Sequence, residues 1–231
     1  MNDVVSNSNY FGLILSIFVF LIAVRLKARF KLAVFNPLLV SSTIIIAILV
    51  IFNISYEDYN ASADFLSYLL TPATVCLAIP MYRQRKLLKE NIGLIMVSIT
   101  SGVICSVVSI FVMGKIFGLT KEYIVTLLPK SITTAIGMGV AQEAGGIIAL
   151  TVAAIIITGI FGNMIAEMIF KVFHIKHPIA RGLALGTSAH AIGTAKALEL
   201  GEVEGTMSSL SICVAGIITV VAVPLFVSFF L

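Results

Sequence analysis

Charged side chains are scarce in this sequence: Asp, Glu, Lys and Arg make up 11% of its 231 residues, and there is no Trp. A soluble domain has about 25% charged residues. In place of charge the chain carries 59% hydrophobic residues and a mean hydropathy of +1.11. This composition excludes an ordinary soluble domain. It predicts an all-α polytopic protein with one integral membrane domain over residues 1–231.

Short motifs of several enzyme and pump classes are also missing. HExxH and Walker A do not occur, and Gly186-Thr187-Ser188-Ala189 is not followed by the closing glycine of GxSxG. Cys76, Cys105 and Cys213 lie in apolar runs without CxxC spacing, so we expect buried free thiols rather than a disulfide or a zinc site. We therefore expect neither an enzyme, nor an ATP-driven pump, nor a bound cofactor or metal.

Long apolar runs dominate what is present. A helix that crosses a bilayer needs about 20 apolar residues, and its backbone groups must pair within the segment because lipid offers no partners. We expect helices throughout, with seven or eight hydrophobic segments. Their approximate bounds are 10–24, 36–53, 64–82, 92–114, 122–142, 146–170, 179–200 and 206–231.

Positive charge is concentrated in three loops, which predicts the topology. Eleven of the fifteen Lys and Arg residues lie within 25–31, 83–89 and 171–181, and such loops face the cytoplasm. The N-terminus is then outside. If segment 122–142 crosses, the third loop falls outside against the rule; if it dips in and returns, all three loops are inside. We prefer the second version, in which segment 179–200 exits to the acidic loop 201–204 and the C-terminus is inside.

Three segments are interrupted by residues that a simple spanning helix does not need. They are Thr71–Pro80, Pro129–Gly137 and Gly186–Ala195. Thr71-Pro72 is typical of a helix start, and Gly186-Thr187-Ser188 offers the same start without proline. Within a membrane, the free N–H groups near residues 73–75 and near 189 and 190 would favour an anion. The alternatives are a kinked structural helix for the first and close helix packing for the second.

The first and last of these interruptions also overlay. Leu70–Thr74 aligns with Gly186–His190 at an offset of 116 residues (187 − 71), and a long apolar segment follows each. Two inverted pseudo-repeats, about 33–118 and 122–231, with broken helices at matching positions are typical of secondary transporters. We expect the two interrupted helices to meet near the middle of the membrane.

Two ionisable residues fall within the interrupted segments. Lys130 is a candidate counter-charge for an anionic substrate, or a side chain that snorkels to the interface. His190 is a candidate donor to a carboxylate or a proton carrier, or a structural histidine bonded to a backbone carbonyl. The predicted substrate-binding residues are Thr71, Pro72, Ala73, Thr74, Lys130, Ser131, Thr133, Thr134, Gly186, Thr187, Ser188, His190, Gly193 and Thr194.

At these residues the sequence resembles the LrgB/CidB family of bacterial inner-membrane proteins. The resembling stretches are Asn36–Val40, Thr71–Tyr82, Leu127–Ala135, Ala180–Ala197 and Glu204-Gly205 with Ser208-Ser209. The resemblance implies two functions, which need not exclude each other. One is a holin- or antiholin-like regulator of murein hydrolases, cell death and lysis, acting with a small LrgA/CidA-type membrane partner. The other is transport of small carboxylates, as in relatives that carry pyruvate, or glycolate with glycerate.

The interrupted segments discriminate between these two functions. A lesion-forming protein has no use for a preorganised anion site, whereas glycines, hydroxyls and isolated cations at membrane depth are costly and indicate ligand handling. We therefore predict a secondary transporter of a small monocarboxylate in the bacterial inner membrane, forming a homo-oligomer. The holin-like regulator is the alternative, and nucleic acid is not an expected partner.

Overall fold

The structure, a computed structural model, describes residues 10–30, 35–69, 72, 75–76 and 78–231. Within these ranges all regular structure is helical, as the composition predicts. Two compact units are present, Met1–Cys76 and Leu77–Leu231. The helices are α1 (Phe11–Phe30), α2 (Pro37–Ile51), α3 (Tyr56–Ala63), a 3₁₀ helix (Asp64–Leu69), α4 (Ala78–Arg83), α5 (Arg85–Glu90), α6 (Ile92–Ile116), α7 (Lys121–Leu127), α8 (Thr134–Glu143), α9 (Ile148–Val172), α10 (Pro178–Leu200) and α11 (Glu202–Phe230).

The first unit is a small helical assembly around α1. The Asn36 side chain caps α2 by accepting from the amide of Leu38, and Pro37 supplies the first helical residue. Helix α3 packs on α1, where Ser62 Oγ accepts from the Gly12 amide at 2.7 Å. Because Gly12 has no side chain, α1 approaches the backbone of α3 directly. The short α3 and the 3₁₀ helix therefore lie against α1 rather than crossing on their own.

The second unit is built on three long helices, α6, α9 and α11. Each is long and apolar enough to cross a bilayer, as is α1 of the first unit. The main core lies between α6 and α11, with Ile95, Ile99, Val103 and Val107 of α6 facing α11. The rings of Phe111 and Phe226 lie 5.2 Å apart near the far ends of these two helices. The chain is thus a multi-pass membrane protein.

Segment 122–142 forms a hairpin, hairpin 1, made of α7 and α8. Helix α7 runs back along α6, since Ile124 packs over Gly114 while Ser131 reaches Ser106, halfway along that helix. The chain then reverses. Near the start of α9 the amide of Ile147 donates to Thr126 Oγ1 at 2.8 Å. Segment 122–142 therefore dips in and returns, as the second predicted version has it for this segment.

The two ends of hairpin 1 also share a cavity. Lys121, which begins α7, and Glu143, which ends α8, line it together with residues of the C-terminal end of α11, including Leu231. The C-terminus thus lies at the end of the unit where hairpin 1 enters. This is the end opposite to loop 171–181, so the predicted placement of the C-terminus beside that basic loop is wrong.

Helix α10 also folds back on itself and forms hairpin 2, with arms 178–189 and 191–200. Both arms lie on α9 but run in opposite directions. In the first arm, Ala189 lies over Gly162 while Leu185 joins Phe170, nearer the C-terminal end of α9. In the second arm, Ile192 O accepts from Asn163 and Lys196 pairs with Glu167. A straight helix of 23 residues, about 34 Å long, cannot make both sets of contacts.

The return of hairpin 2 corrects the predicted path of segment 179–200. Gly182, in the first arm, approaches the backbone of Glu204, and Leu198, in the second, packs over Gly205. Residues 201–204 therefore lie at the same end as residues 171–181, and the predicted crossing is wrong. Hydropathy does not predict the path of segment 179–200, because an apolar segment of this length is equally suited to one full crossing or to two half-crossings. Which end faces the cytoplasm, and the pseudo-repeats 33–118 and 122–231, remain predictions.

Candidate functional site

The tip of hairpin 1 is the irregular stretch between Leu127 and Thr134. Pro129 lies there, and a proline removes a backbone donor and disfavours continued helix. The next residue, Lys130, is half-buried, and its Nζ donates to Ser131 Oγ at 3.1 Å. Ser131 Oγ in turn lies 3.2 Å from Ser106 Oγ at the middle of α6. Lys130 therefore lies beside the middle of α6.

The tip of hairpin 2 is a single residue, His190. Its backbone has φ 42° and ψ −135°, a conformation that a residue with a side chain rarely adopts. The ring is buried against Gly159, and Nε2 lies 2.9 Å from Ile155 O. His190 thus has the backbone-bonded geometry of the structural alternative.

A cavity of about 520 Å³ lies between α6 and the first arm of hairpin 2, with Lys130 and Ser131 of hairpin 1 in its wall. Its volume is within the range of about 300–1,000 Å³ typical of small-molecule sites. We call it the serine cavity, because its lining includes Ser98, Ser101, Ser106, Ser109, Ser131 and Ser188, with Thr187 and Cys105.

A second cavity, of about 410 Å³, lies between α9 and the same arm of hairpin 2. We call it the apolar cavity. Thr158, Ser188 and Lys130 are its polar lining residues, and its apolar lining includes Ile157, Phe161, Ile165, Ile169, Phe170 and Leu185. Lys130 and Ser188 therefore belong to the walls of both cavities.

Lys130 is the charged residue in the walls of both cavities. Within the described ranges no Asp or Glu forms an ion pair with it; the ion pairs there join Lys196 to Glu167 and to Glu199. A cation held at membrane depth without a carboxylate is expensive, and such residues line ligand or ion pathways. The arrangement can bind a small anion through the ammonium group, with hydroxyls on one side and hydrocarbon on the other.

Only part of the predicted site comes together. Lys130, Ser131, Thr187 and Ser188 share the serine cavity. The helix continues through Thr187 and Ser188, and the break falls at His190. The Ser188 hydroxyl donates to Ala184 O within this helix. The predicted helix start at residues 187–190 is therefore wrong, since the second arm begins at residue 191.

Other predicted residues of hairpin 2 have packing roles. Gly186 contacts α11 at Ser208, and Thr194 Oγ1 lies 2.7 Å from Ser208 Oγ. Gly193 packs against the carbonyl of Leu185 in the first arm. With His190, these residues do not line either cavity.

Thr133 and Thr134 are not among the residues that line the two cavities. Thr133 and Thr134 begin α8, where Thr133 makes no side-chain cap. Pro72 is helical and exposed in the first unit, whereas Thr71, Ala73 and Thr74 lie outside the described residues. Whether the two interrupted helices of the sequence meet remains a prediction.

The polar face of α6 is a part of the site that was not predicted from the sequence. Ser98, Ser101, Cys105 and Ser109 recur every three or four residues and so share one helix face. That periodicity is visible in the sequence, but a hydropathy average over the segment hides it. All three cysteines are free, but the prediction that they are buried is wrong, since each is exposed and Cys105 lines the serine cavity.

Comparison with known proteins gives a consistent family assignment. The LrgB-like family model matches residues 16–229. Proteins named antiholin-like protein LrgB from Bacillus cereus (strain B4264) and Bacillus anthracis (strain CDC 684 / NRRL 3495) are each 38% identical over 221 residues, covering 95% of this chain and 96% of theirs. No solved structure matches. The chain therefore belongs to the LrgB-like family of membrane proteins.

Proposed function

We propose that this chain is a secondary transporter of small monocarboxylates such as pyruvate or glycolate, with Lys130 binding the carboxylate. The observation that carries the proposal is the position of Lys130 at the tip of a half-crossing hairpin, in the wall of two cavities. An ammonium group surrounded by hydroxyls matches the charge and hydrogen-bonding needs of a carboxylate.

Ser131 and Ser106 support Lys130 from one side. The Ser131 hydroxyl accepts from Lys130 Nζ and lies near the Ser106 hydroxyl, so the ammonium is oriented before an anion arrives. Thr187 and Ser188 face the same cavity from hairpin 2. In this proposal their hydroxyls and that of Ser106 hydrogen-bond the substrate, and Lys130 neutralises its charge.

Two hairpins that enter from opposite ends suit alternating access. Irregular backbone at membrane depth is tolerated where it is buried or lines a cavity, and discontinuous helices form the midplane sites of many secondary transporters. In this proposal, movement of one hairpin relative to the long helices opens the Lys130 site to one side at a time. His190 fixes the reversal of hairpin 2 and does not bind substrate directly.

The test is uptake of labelled pyruvate and glycolate into proteoliposomes that hold the full chain. We expect saturable uptake that falls at least tenfold in Lys130→Gln. The matched control is Lys121→Gln, which removes the same charge at the outer end of hairpin 1, away from both cavities, and should leave uptake within twofold. Equal loss in both variants, or uptake that Lys130→Gln does not change, contradicts the proposal.

An antiholin-like role is the second candidate, favoured by the names of the relatives in Bacillus cereus and Bacillus anthracis. In that case the chain regulates lysis together with a small LrgA/CidA-type membrane protein. Non-saturable leakage of unrelated solutes from the same proteoliposomes would favour a pore. Absence of flux without the small protein, and its appearance with it, would make the partner part of the transporter.

A further inference from the structure

The second unit contains two stretches of matching construction. Helix α6 has 25 residues and is followed by hairpin 1 over residues 121–143; α9 also has 25 and is followed by hairpin 2 over 178–200. Ala135-Ile136-Gly137 recurs as Ala191-Ile192-Gly193, an offset of 56 residues (191 − 135). Because hairpin 1 returns to the end where α6 finishes, α9 runs opposite to α6. The second stretch therefore has inverted orientation.

Contacts inside the hairpins follow the same offset. Gly137 of the returning arm lies over the carbonyl of Pro129, and Gly193 lies over the carbonyl of Leu185. Pro129 and Leu185 are themselves 56 positions apart. Each hairpin thus closes through a glycine placed against the equivalent carbonyl of its own first arm.

Equivalent faces of α6 and α9 flank Lys130. Five residues of α6 that line the serine cavity are Ser101, Gly102, Cys105, Ser106 and Ser109. The residues 56 positions later all line the apolar cavity: Ile157, Thr158, Phe161, Gly162 and Ile165. The two walls correspond in position but differ in chemistry, because hydroxyls and a thiol on α6 are mostly replaced by hydrocarbon on α9.

We propose that the apolar cavity is a binding site for the hydrocarbon part of a monocarboxylate whose carboxylate pairs with Lys130. The occupant is an aliphatic acid of about four to six carbons in all, such as butyrate or hexanoate. Charge complementarity selects the carboxylate, and the side chains of Phe161, Ile165 and Leu185 cover the chain. The inference rests on the proposed anion site at Lys130 and extends it to a class of substrate or inhibitor that the serine wall alone would not favour.

The affinity for an aliphatic acid should then rise with the length of its apolar chain. Moving a methylene from water into apolar surroundings strengthens binding about fourfold. From acetate to hexanoate the affinity should rise at each step until the cavity is filled. Addition of a terminal hydroxyl to the same chain should weaken binding, because the α9 wall offers few partners.

The experiment is equilibrium binding of labelled acetate, butyrate and hexanoate to the full chain in nanodiscs, with empty nanodiscs subtracted. We expect hexanoate to bind at least tenfold more tightly than acetate, and Lys130→Gln to weaken both at least tenfold. Ile165→Ser should weaken hexanoate about fourfold and leave acetate unchanged. The matched control is Ile156→Ser, the same change on α9 at a residue that lines neither cavity, which should not weaken hexanoate.

Each other outcome has a distinct meaning. Equal, Lys130-dependent binding of acetate and hexanoate overturns this inference and leaves the anion site standing. Hexanoate binding that survives Lys130→Gln after the subtraction does not use the carboxylate pair, and also overturns it. If no acid binds to protein that remains monodisperse and helical, both proposals fail. Should Ile165→Ser not fold, Ile157→Ser tests the same wall at a position that is 66% exposed.

Discussion

Hairpins 1 and 2 reverse the chain at membrane depth by different means. Hairpin 1 uses an irregular stretch of several residues that includes Pro129, and its arms are two separate helices. Hairpin 2 reverses at His190 alone, with helix on both sides. In hairpin 1 a helix-breaking proline lies at the reversal. In hairpin 2 a strained residue is held by its surroundings.

The contacts that hold the two hairpins against α9 also differ. Hairpin 1 is hydrogen-bonded to the start of α9 through Thr126, whose hydroxyl accepts from the Ile147 amide and whose carbonyl accepts from Thr151 Oγ1 at 2.9 Å. Hairpin 2 is tied to α9 by the His190 ring, the Asn163 amide and the Lys196–Glu167 ion pair. The contacts of hairpin 1 lie away from its tip, whereas the His190 contact lies at the tip of hairpin 2, so substitutions should be more costly at that tip.

The largest expected effect is at His190. Substitution by alanine removes the bond to Ile155 O and the packing on Gly159 but keeps a side chain at φ 42°. We expect a loss of about 3 kcal/mol in the free energy of unfolding. His190→Gly loses the same contacts but relieves the backbone, so its loss should be about 1 kcal/mol smaller.

Unfolding by sodium dodecyl sulfate in mixed micelles, followed by circular dichroism, measures both losses. If glycine is as costly as alanine, the backbone at His190 is not strained and the contrast between the hairpins is incorrect.

The two equivalent glycines sharpen the comparison. A Cβ on Gly193 would meet the backbone carbonyl of Leu185, which cannot move without shifting the first arm. A Cβ on Gly137 would meet the Cδ1 of Ile155 at 2.5 Å and the Pro129 carbonyl at 3.4 Å, and the Ile155 side chain can rotate away. We expect Gly193→Ala to cost about 3 kcal/mol and Gly137→Ala below about 1 kcal/mol. The same unfolding assay measures both, and a reversed order would contradict the described hairpin packing.

Much of the helical fold follows from composition and hydropathy, and so does the irregular stretch of hairpin 1. Pro129 and the hydroxyls after it mark a helix break in the sequence, and the basic loop 171–181 favours the returning path. The reversal of hairpin 2 could not be predicted in the same way. Pro178–Leu200 has no internal proline, and His190 adopts its conformation because of contacts with Ile155 and Gly159, which are distant in sequence.

Only the residues that the two hairpins contribute to the candidate site could be predicted from the sequence. Lys130, Ser131, Thr187 and Ser188 are unusual in apolar segments and can be recognised there. The facing walls come from α6 and α9, whose contribution depends on which helix faces are turned towards Lys130. The serine row of α6 has the helical period, but only the packing of the long helices distinguishes a lining face from one that contacts another helix.

At Thr126 a smaller effect is expected, specific to hairpin 1. Thr126→Val removes the hydroxyl that accepts from the Ile147 amide at 2.8 Å and leaves that donor unpaired at the start of α9. We expect a loss of about 2 kcal/mol, with faster amide hydrogen exchange over residues 144–151. Thr126→Ser keeps the hydroxyl and should retain slow exchange there. Faster exchange confined to residues 190–200 would show that the two hairpins are not held independently.

The smallest expected effect is at Lys196, in the outer part of hairpin 2. Lys196 Nζ lies 2.6 Å from Glu167 Oε1, but Glu167 is 51% exposed, so water competes for the pair. We expect Lys196→Met to lower the free energy of unfolding by less than about 1 kcal/mol, since exposed ion pairs contribute little. The same detergent titration measures it beside His190→Ala. A loss as large as that of His190→Ala would mean that the ion pair, and not the tip, holds hairpin 2 on α9. The hairpin would then be anchored at its outer end, and its tip would be the part free to move.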